Sequence, residues 1–253
     1  AGLASAGKNV FSVSPACFLS ARSLEQIKND VAYSFQPVTL VGISAGVSYG
    51  ALGSTHHSTH DVAVMRAIPN IDVVVPADNF ETREAILAAS KSKKPIFLKF
   101  GKKAMPNLPR VERKFEIGKA SVICEGDDVA FIACGETVAP AYEAALHLED
   151  RGIKAEVISM HTVNPLDTEA VRKTAKKCKA IITVEEHSIH GGLGEACASF
   201  LMQEQLYIPF KIVGFPDEDT VTGSQSEIFL HYGITGEGLM ESALRLLKHD
   251  QTL

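Results

Sequence analysis

The sequence has no apolar run long enough to cross a membrane and no excess of positive charge. A membrane-spanning helix needs about 20 consecutive apolar residues, and no run in this chain approaches that length. The 25 Lys and Arg residues are scattered and are outnumbered by 30 Asp and Glu residues, for a formal net charge of −5. Proteins that bind nucleic acid usually carry a basic patch or stripe. We therefore expect neither a membrane nor a nucleic acid as partner.

Paired cysteine motifs are also missing. The chain has five cysteines, none of them in a C-x-x-C pair: Cys17, Cys124, Cys134, Cys178 and Cys197. An odd and widely spaced set in apolar surroundings is typical of reduced thiols inside a protein of the cytoplasm. We expect a cytoplasmic protein without a disulfide framework.

Short apolar runs alternate with segments of helical spacing along the chain. The content of 45% hydrophobic and 22% charged residues is ordinary for a globular protein of 253 residues. Apolar runs with turn residues on either side predict buried strands. Strands that alternate with helices predict a mostly parallel sheet covered on both faces. The predicted strands are 9–13, 37–43, 71–75, 95–100, 120–124, 129–134, 154–159, 180–184 and 210–213. Asp78 or Asn79 would cap the helix after strand 71–75, Thr137 would cap the helix after strand 129–134, and residues 196–202 would be helical.

Residues 101–119 interrupt this alternation with Pro106, Pro109 and several basic side chains. A break of this composition is typical of a linker between domains. We therefore predict an α/β fold of two consecutive three-layer domains with mostly parallel sheets, residues 1–109 and residues 110–253.

The stretch GALGSTHHSTHDVAVMRAIPN, residues 50–70, contains three histidines within five residues. Imidazole has the side-chain pKa nearest neutrality, so it can both donate and accept protons. Three interpretations remain open on this pattern alone. His56 and His60 are four residues apart, a spacing that could place two zinc ligands on one helix face. The loop could instead cap the following helix, or its histidines could transfer protons on a bound substrate.

A second polar group follows the predicted strand 180–184. Glu185, Glu186 and His187 would lie at the carboxyl edge of the sheet, where open α/β sheets bind ligands, or they would be solvated charges. The next residues, GGLGEA at 191–196, begin a predicted helix. Their backbone N–H groups could bind an anion, or the glycines could allow close packing of helix on strand.

Several motifs in the same order resemble the transketolase family. GSTHHSTHDVAVMRAIPNIDVVVPAD is similar to the segment in which a G-P-T-H-Q loop precedes R-x-I-P-N and a strand ending in P-x-D. IGKASVI, HTVNPLD, VEEHSIHGGLGEA and GSQSEIFLHYGIT are similar to the transketolase C-terminal domain. The resemblance implies a pyrimidine-binding domain followed by that C-terminal domain. In length the chain resembles the C-terminal subunit of a split transketolase, whose partner subunit carries the diphosphate-binding domain.

The resemblance also implies roles for individual residues. His56 would be the catalytic histidine, which binds the donor sugar and moves protons near the reacting carbon. His57, Lys99 and Lys102 would bind substrate together with His56, the lysines through a sugar phosphate. Phe18 would pack on the aminopyrimidine of thiamine diphosphate. The resemblance assigns no metal ligand to this chain, because Mg²⁺ and the diphosphate would be held mainly by the partner subunit.

The chain departs from the family pattern in and before the histidine motif. Leu52 replaces an Asp that recognises a substrate hydroxyl, Ser54 replaces Pro, and His57 replaces Gln. We therefore expect a substrate preference unlike that of a housekeeping transketolase. The glutamate that activates the cofactor in relatives would precede Ala1, and the chain lacks the Gly-Asp-Gly metal motif. We expect the chain to be inactive alone, to self-associate, and to form its site at a subunit interface.

Two alternatives remain at this stage. The β subunit of a 2-oxo acid dehydrogenase E1 shares the same two-domain plan, although the T-H-H loop and R-A-I-P-N favour the transferase. A non-catalytic protein that binds or regulates a thiamine enzyme would also fit a chain without the activating glutamate.

Overall fold

The computed structural model describes the backbone of residues 1–250 and the side chains of residues 1–248. Within this part of the chain the strands are β1 Val10–Pro15, β2 Val38–Ile43, β3 Asp72–Val74, β4 Ile96–Lys99, β5 Ser121–Cys124, β6 Val129–Ala133, β7 Ala155–Ser159, β8 Thr162–Asn164, β9 Ala180–Ser188 and β10 Phe210–Phe215. The α-helices are α1 Gly2–Ser5, α2 Ala16–Arg22, α3 Leu24–Gln26, α4 Asp61–Ala67, α5 Asn79–Ala89, α6 Val138–Glu149, α7 Thr168–Lys177, α8 Leu193–Gln203, α9 Gln225–His231 and α10 Gly236–Asp250. A π-helical segment, Ile27–Tyr33, continues α3, and 3₁₀ turns occur at Gly50–Leu52 and Gly135–Thr137.

The strands form two five-stranded sheets, with the orders β1-β2-β4-β3-β8 and β10-β9-β6-β7-β5. All neighbouring strands are parallel except the pairs β3–β8 and β5–β7. The predicted α/β fold with mostly parallel sheets is therefore confirmed. None of the helices in residues 1–250 combines the length and apolar composition needed to cross a membrane.

The first sheet is covered on both faces because successive strand residues point to opposite sides. Leu40 of β2 packs in a buried cluster with side chains of α2 and α4. The next residue, Val41, packs in a separate cluster with α5. The second sheet follows the same rule: Ile132 of β6 lies in the cluster that contains Leu40, whereas Phe131 packs with α6 and α10. One apolar cluster thus continues between the two sheets.

Strand β8 was not predicted, and it crosses the proposed domain boundary. It belongs to the second half of the chain but pairs with β3 of the first sheet, with Val73 opposite Asn164 and Val74 opposite Thr162. Three residues are too short to show the period of two that identifies a strand. We retain 1–109 and 110–253 as proposed domains, with β8 contributed by the second domain to the first sheet.

The predicted linker has no helix or strand between residues 100 and 120, but it is anchored. Its Arg110 guanidinium is bonded to Asp78 at 2.8 and 2.9 Å and lies 3.0 Å from Glu81. Asp78 also accepts a hydrogen bond from the backbone N–H of Glu81, which caps α5 as predicted.

Three further predictions differ from the structure. The Thr137 hydroxyl does not cap α6, because it donates to the carbonyls of Cys134 and Val184 instead. Helix α8 begins at Leu193 rather than near Ala196. Strand β9 continues to Ser188, so the polar residues 185–187 lie within the strand and are buried. Internal hydrogen bonds offset their polarity, because all three side chains accept backbone or side-chain donors of the protein. Pairing with β10 is irregular across them and resumes at Ser188, opposite Phe215.

Candidate active site

The carboxyl ends of three neighbouring parallel strands bring the candidate residues together. β1 leads into the helix that carries Phe18, β2 leads into the histidine loop, residues 50–60, and β4 leads into Lys102. Open α/β sheets bind ligands at this edge. The fold therefore explains why residues separated by up to 84 positions in sequence (18 and 102) come to the same sheet edge.

Phe18, Tyr49, His56 and Lys102 form one group, which we call the His56 cluster. The His56 ring meets Phe18 edge-on at 5.4 Å between ring centres and Tyr49 at 5.8 Å. The Lys102 ammonium lies 5.3 Å from the centre of the Tyr49 ring. His56 Nδ1 is 3.0 Å from the Thr55 hydroxyl. Three predicted residues thus lie together near the surface, joined by Tyr49, which the sequence did not single out.

His57 points away from this cluster. Its Nε2 lies 3.0 Å from the Gly50 carbonyl oxygen, and its Nδ1 makes a short contact with the Thr220 hydroxyl of the second domain. The side chain is buried. Both ring nitrogens of His57 are therefore engaged inside the protein.

Two glycines allow the histidine loop to lie against residues 220–223. Gly50 and Gly53 have φ of +22° and +72°, a region that side chains rarely adopt. A Cβ at Gly50 would lie 2.1 Å from the Gly223 carbonyl oxygen, and one at Gly53 would lie 3.4 Å from the Thr222 hydroxyl. The second domain thus forms the support of the loop.

Lys99 lies beneath the loop and not in the His56 cluster. Its side chain is 5% exposed, and its ammonium donates to the Asp61 carboxylate at 2.8 Å. The carbonyl oxygens of Glu186 and Ser58 lie 3.2 and 3.5 Å away. Burial by itself lowers the pKa of Lys99, but the attraction of Asp61 outweighs it and the pKa is raised. Lys99 is therefore a charged group with an internal partner.

Two buried carboxylates of the second domain share one amide donor, and one of them, Glu186, also bonds to the first domain. The Gln225 amide donates to Glu136 at 2.6 Å and to Glu186 at 2.9 Å. Glu186 also accepts the backbone N–H of Val47 at 2.8 Å. Burial, followed by the neighbouring Glu136 carboxylate, raises the pKa of Glu186 to about 8. A proton retained on Glu186 at neutral pH would remove the repulsion between the two acids.

The glycine turn 191–196 holds an anion that the chain itself supplies. The Glu185 carboxylate accepts the N–H groups of Leu193 and Gly194 at 2.7 and 2.8 Å. A Cβ at Gly192 would lie 1.9 Å from the same carboxylate, so the turn also packs closely on β9. Burial raises the pKa of Glu185 to about 7. The backbone groups considered for an external anion are thus already bonded.

His187 is fixed as a neutral imidazole. The Ala63 N–H donates to its Nε2 at 3.2 Å, so the proton is on Nδ1, which lies 2.7 Å from the Ser188 carbonyl oxygen. Burial lowers the pKa of His187 to about 4. The side chain joins β9 to α4 and does not reach the His56 cluster.

The zinc interpretation of His56 and His60 has no support in the geometry. His56 lies between two aromatic rings, whereas His60 is exposed where α4 begins. Among the residues whose side chains are described, no group of three or more His, Cys, Asp or Glu could hold a metal ion.

The His56 cluster suits one end of a thiamine cofactor. Phe18 is half-buried and is flanked by His56 and by the Arg22 guanidinium, 4.4 Å from the ring centre. Aromatic side chains with a few polar groups are typical of sites for ring-shaped ligands. The residues present therefore fit a pyrimidine ring.

Two family models match the chain, and together they cover most of it. The transketolase pyrimidine binding domain matches residues 1–107, and the transketolase C-terminal domain matches residues 118–239. The chain therefore belongs to the transketolase family. The predicted order of a pyrimidine-binding domain and a C-terminal domain is confirmed, while the boundary at residue 109 remains a prediction.

Individual relatives resemble the chain over nearly its whole length. A subunit of the apulose-4-phosphate transketolase of Phocaeicola vulgatus is 45% identical over 98% of this chain and 79% of the relative. The putative transketolase C-terminal section of Methanocaldococcus jannaschii is 35% identical over 99% of this chain and 79% of the relative. A solved split-gene transketolase, described as an inactive β4 tetramer, has a TM-score of 0.87 and 34% identity, over 98% of this chain and 78% of that one.

Sequence reasoning missed Tyr49 and Thr220. Tyr49 carries a weak local signal, since it is an aromatic residue in the loop between a predicted strand and the histidine motif. Thr220 carries none, because its contact with His57 joins residues 163 positions apart.

Proposed function

We propose that the chain is the C-terminal subunit of a split transketolase. It would transfer a two-carbon ketol unit between sugar phosphates, with thiamine diphosphate at a subunit interface. The observation that carries this proposal is the His56 cluster, in which the motif histidine, an aromatic ring and a lysine meet at one sheet edge. The five free cysteines favour a reducing compartment, and we place the enzyme in the cytoplasm.

Thiamine diphosphate supplies the carbanion chemistry of such a reaction when it is bound. His56 is half-buried, so its imidazole can hydrogen-bond a donor hydroxyl and move protons to and from it. Phe18 would pack against the aminopyrimidine ring. Lys102 is exposed beside Tyr49, and its charge can pair with a substrate phosphate.

We assign the Mg²⁺ and diphosphate sites to an N-terminal partner subunit. Relatives are named as one subunit of a transketolase or as a C-terminal section, which supports a second chain. The solved relative described as inactive when assembled as a β4 tetramer supports both self-association and dependence on another subunit. An interface between subunits would complete the site around His56.

The substrate is proposed to be a sugar phosphate that differs from those of housekeeping transketolases. Leu52 cannot accept a hydrogen bond from a substrate hydroxyl, as the Asp of the family pattern can. A relative at 45% identity is named for apulose-4-phosphate, which supports an unusual donor or acceptor. We extend the proposal to sugar phosphates outside the housekeeping set and no further.

The test begins with purification of the native protein and identification of every chain that accompanies it. The complex, supplied with thiamine diphosphate and Mg²⁺, would be assayed with ketose phosphates plus aldose phosphates and, separately, with 2-oxo acids. Ketol transfer that requires both chains supports the proposal. Turnover of 2-oxo acids alone would identify an E1 β-type chain, and a complex without either activity would indicate a binding or regulatory protein.

A further inference from the structure

The two residues that follow His56 are fixed from opposite sides of the histidine loop. On one side His57 lies between the Gly50 carbonyl and the Thr220 hydroxyl. On the other side the Ser58 hydroxyl donates to Asp61 at 2.8 Å. The Ser58 N–H also donates to the Gly46 carbonyl at 2.7 Å. The backbone beside His56 is thus attached both to the second domain and to the start of α4.

Lys99 completes the second attachment. Its three N–H donors can be matched to three oxygens inside the protein, on Asp61, Glu186 and Ser58, at 2.8, 3.2 and 3.5 Å. No donor remains for a phosphate, and the side chain is only 5% exposed. Lys102, three residues later, is exposed. The two lysines therefore cannot share one role.

His56 itself has few side-chain attachments. Among the residues whose side chains are described, the one hydrogen bond of its ring is with the neighbouring Thr55, and its other ring contacts are the edges of Phe18 and Tyr49. Its backbone N–H donates to the Gly53 carbonyl of the same loop at 2.9 Å. A neighbour on the same loop cannot fix the loop. The position of the imidazole therefore depends on the anchored residues that follow it.

We propose that Thr220 and Lys99 are positioning residues for His56, acting through His57 and through Asp61 and Ser58. Together these five residues form a clamp on the histidine loop, and the second domain contributes part of it. Lys99 would then have no direct contact with substrate. The inference rests on the proposed function for its kinetic consequence, but the clamp itself is a property of the structure.

The conservative variant Thr220→Val gives the main test, because it removes one hydroxyl and preserves the shape of the side chain. In the complex with partner, thiamine diphosphate and Mg²⁺, we expect kcat to fall roughly tenfold, since a small misplacement of a reacting group is costly. The KM of the phosphorylated substrate should remain within about twofold, because Lys102 is untouched. Thr222→Val is the matched control, since Thr222 is exposed and only approaches Gly53.

Two further variants test the route through His57. Gln, the residue of the family pattern, carries both a donor and an acceptor and can bond Gly50 and Thr220. His57→Gln should therefore retain kcat within roughly threefold, whereas His57→Leu should lose about as much as Thr220→Val. Equal loss in His57→Gln and His57→Leu, or wild-type kcat in Thr220→Val, would show that the clamp does not position His56.

Crystal structures of the wild-type and Thr220→Val complexes give a readout that needs no activity. A displaced or disordered segment 55–58 in the variant supports the clamp, and an unchanged segment overturns it. If the wild-type complex has no ketol-transfer activity, the proposed function fails, while this structural comparison still decides the clamp. Lys99→Met should displace the same segment. Lys99→Arg preserves the charge and should displace it less.

Discussion

His56 and His57 are adjacent in sequence and have opposite surroundings. The ring of His56 lies among Phe18, Tyr49 and the exposed side of the loop. The ring of His57 is buried, and both nitrogens are engaged by Gly50 and by Thr220 of the second domain. Alternate residues of an irregular loop can face opposite directions, so one histidine is available to a ligand and the other holds the loop. Chemical type alone did not distinguish these two roles.

Lys99 and Lys102 repeat the contrast at the end of β4. Lys99 is the last residue of the strand and points into the protein, where Asp61 neutralises it. Lys102 lies beyond the strand and is exposed against Tyr49. The loop edge therefore has an accessible side, which we propose faces a ligand, and a buried supporting side, and each side contains one histidine and one lysine.

The largest expected effect is a loss of kcat on substitution of His56, which lies on the accessible side of the loop. His56→Ala should lower kcat of the assembled enzyme by about 10²–10⁴-fold, the usual contribution of a residue that moves protons. The urea midpoint of the variant should stay close to that of the wild type, because His56 is only half-buried. His60→Ala, an exposed histidine of the same loop, is the control and should retain activity. Full activity in His56→Ala would remove His56 from the reaction.

Substitutions on the supporting side should lower the free energy of unfolding. Asp61→Ala leaves the Lys99 ammonium buried without its partner, and we expect a loss of about 3–5 kcal/mol in the free energy of unfolding. The exposed pair of Lys173 and Glu169, 3.9 Å apart, gives the comparison. Lys173→Ala should cost less than about 1 kcal/mol. Urea unfolding of both variants measures the difference, and equal losses would contradict the special status of the buried pair.

The buried carboxylates predict a dependence of stability on pH. In the native state Glu186 retains its proton up to about pH 8, whereas in the unfolded chain it ionises near its ordinary pKa. The native state thus binds the extra proton between these values, so stability should fall as pH rises and level off above pH 8. Unfolded His187 still binds about half a proton at pH 6.5, near its ordinary pKa, whereas the native imidazole is neutral. It therefore opposes this trend at the lower end of the range and not above about pH 7.5.

The slope for one such proton approaches about 1.4 kcal/mol per pH unit. Glu186→Gln should flatten the loss of stability between pH 6.5 and 8, leaving the part due to Glu185, whose pKa is raised to about 7. Urea midpoints at four pH values in this range measure the change. The exposed Glu143→Gln variant should follow the wild-type profile, and a Glu186→Gln variant with the wild-type slope would disprove the assignment.

The smallest effect concerns Lys102. Lys102→Met should raise the KM for a phosphorylated substrate about tenfold, or about 1.4 kcal/mol, with little change in kcat or in stability, because the side chain is exposed. Lys103→Met, the adjacent exposed lysine, should leave KM within about twofold. Steady-state kinetics with phosphorylated and unphosphorylated donors would check this. The same KM change in both variants would indicate a general effect of charge rather than a phosphate contact.

Much of the fold could be predicted from local pattern. The runs at 37–43 and 95–100 are buried strands β2 and β4, and Asp78 caps α5 as expected. The errors occurred where tertiary pairing outweighed local signals. Polar residues 185–187 extend β9 because their side chains find hydrogen-bond partners inside the protein and pairing with β10 resumes at Ser188. The three-residue strand β8 forms because β3 offers an edge.

Part of the candidate site could also be predicted. His56, Phe18 and Lys102 were found from motifs and meet in the structure. Tyr49 and Thr220 were not found, and Lys99 lies away from the cluster that the motifs implied for it. A contact between Thr220 and His57 depends on how two domains pack, and nothing in the neighbourhood of either residue in sequence records it.

Local sequence is enough for most of the order of strands and helices, with β8 as an exception, because apolar spacing and turn residues act over a few positions along the chain. It also determined that a histidine-rich loop follows β2. Tertiary packing selects which histidine remains accessible and which is held by Thr220, and which lysine is paired with Asp61. The physical reason is that burial and hydrogen bonding depend on groups that are distant in sequence, and adjacent residues of one loop can face opposite sides.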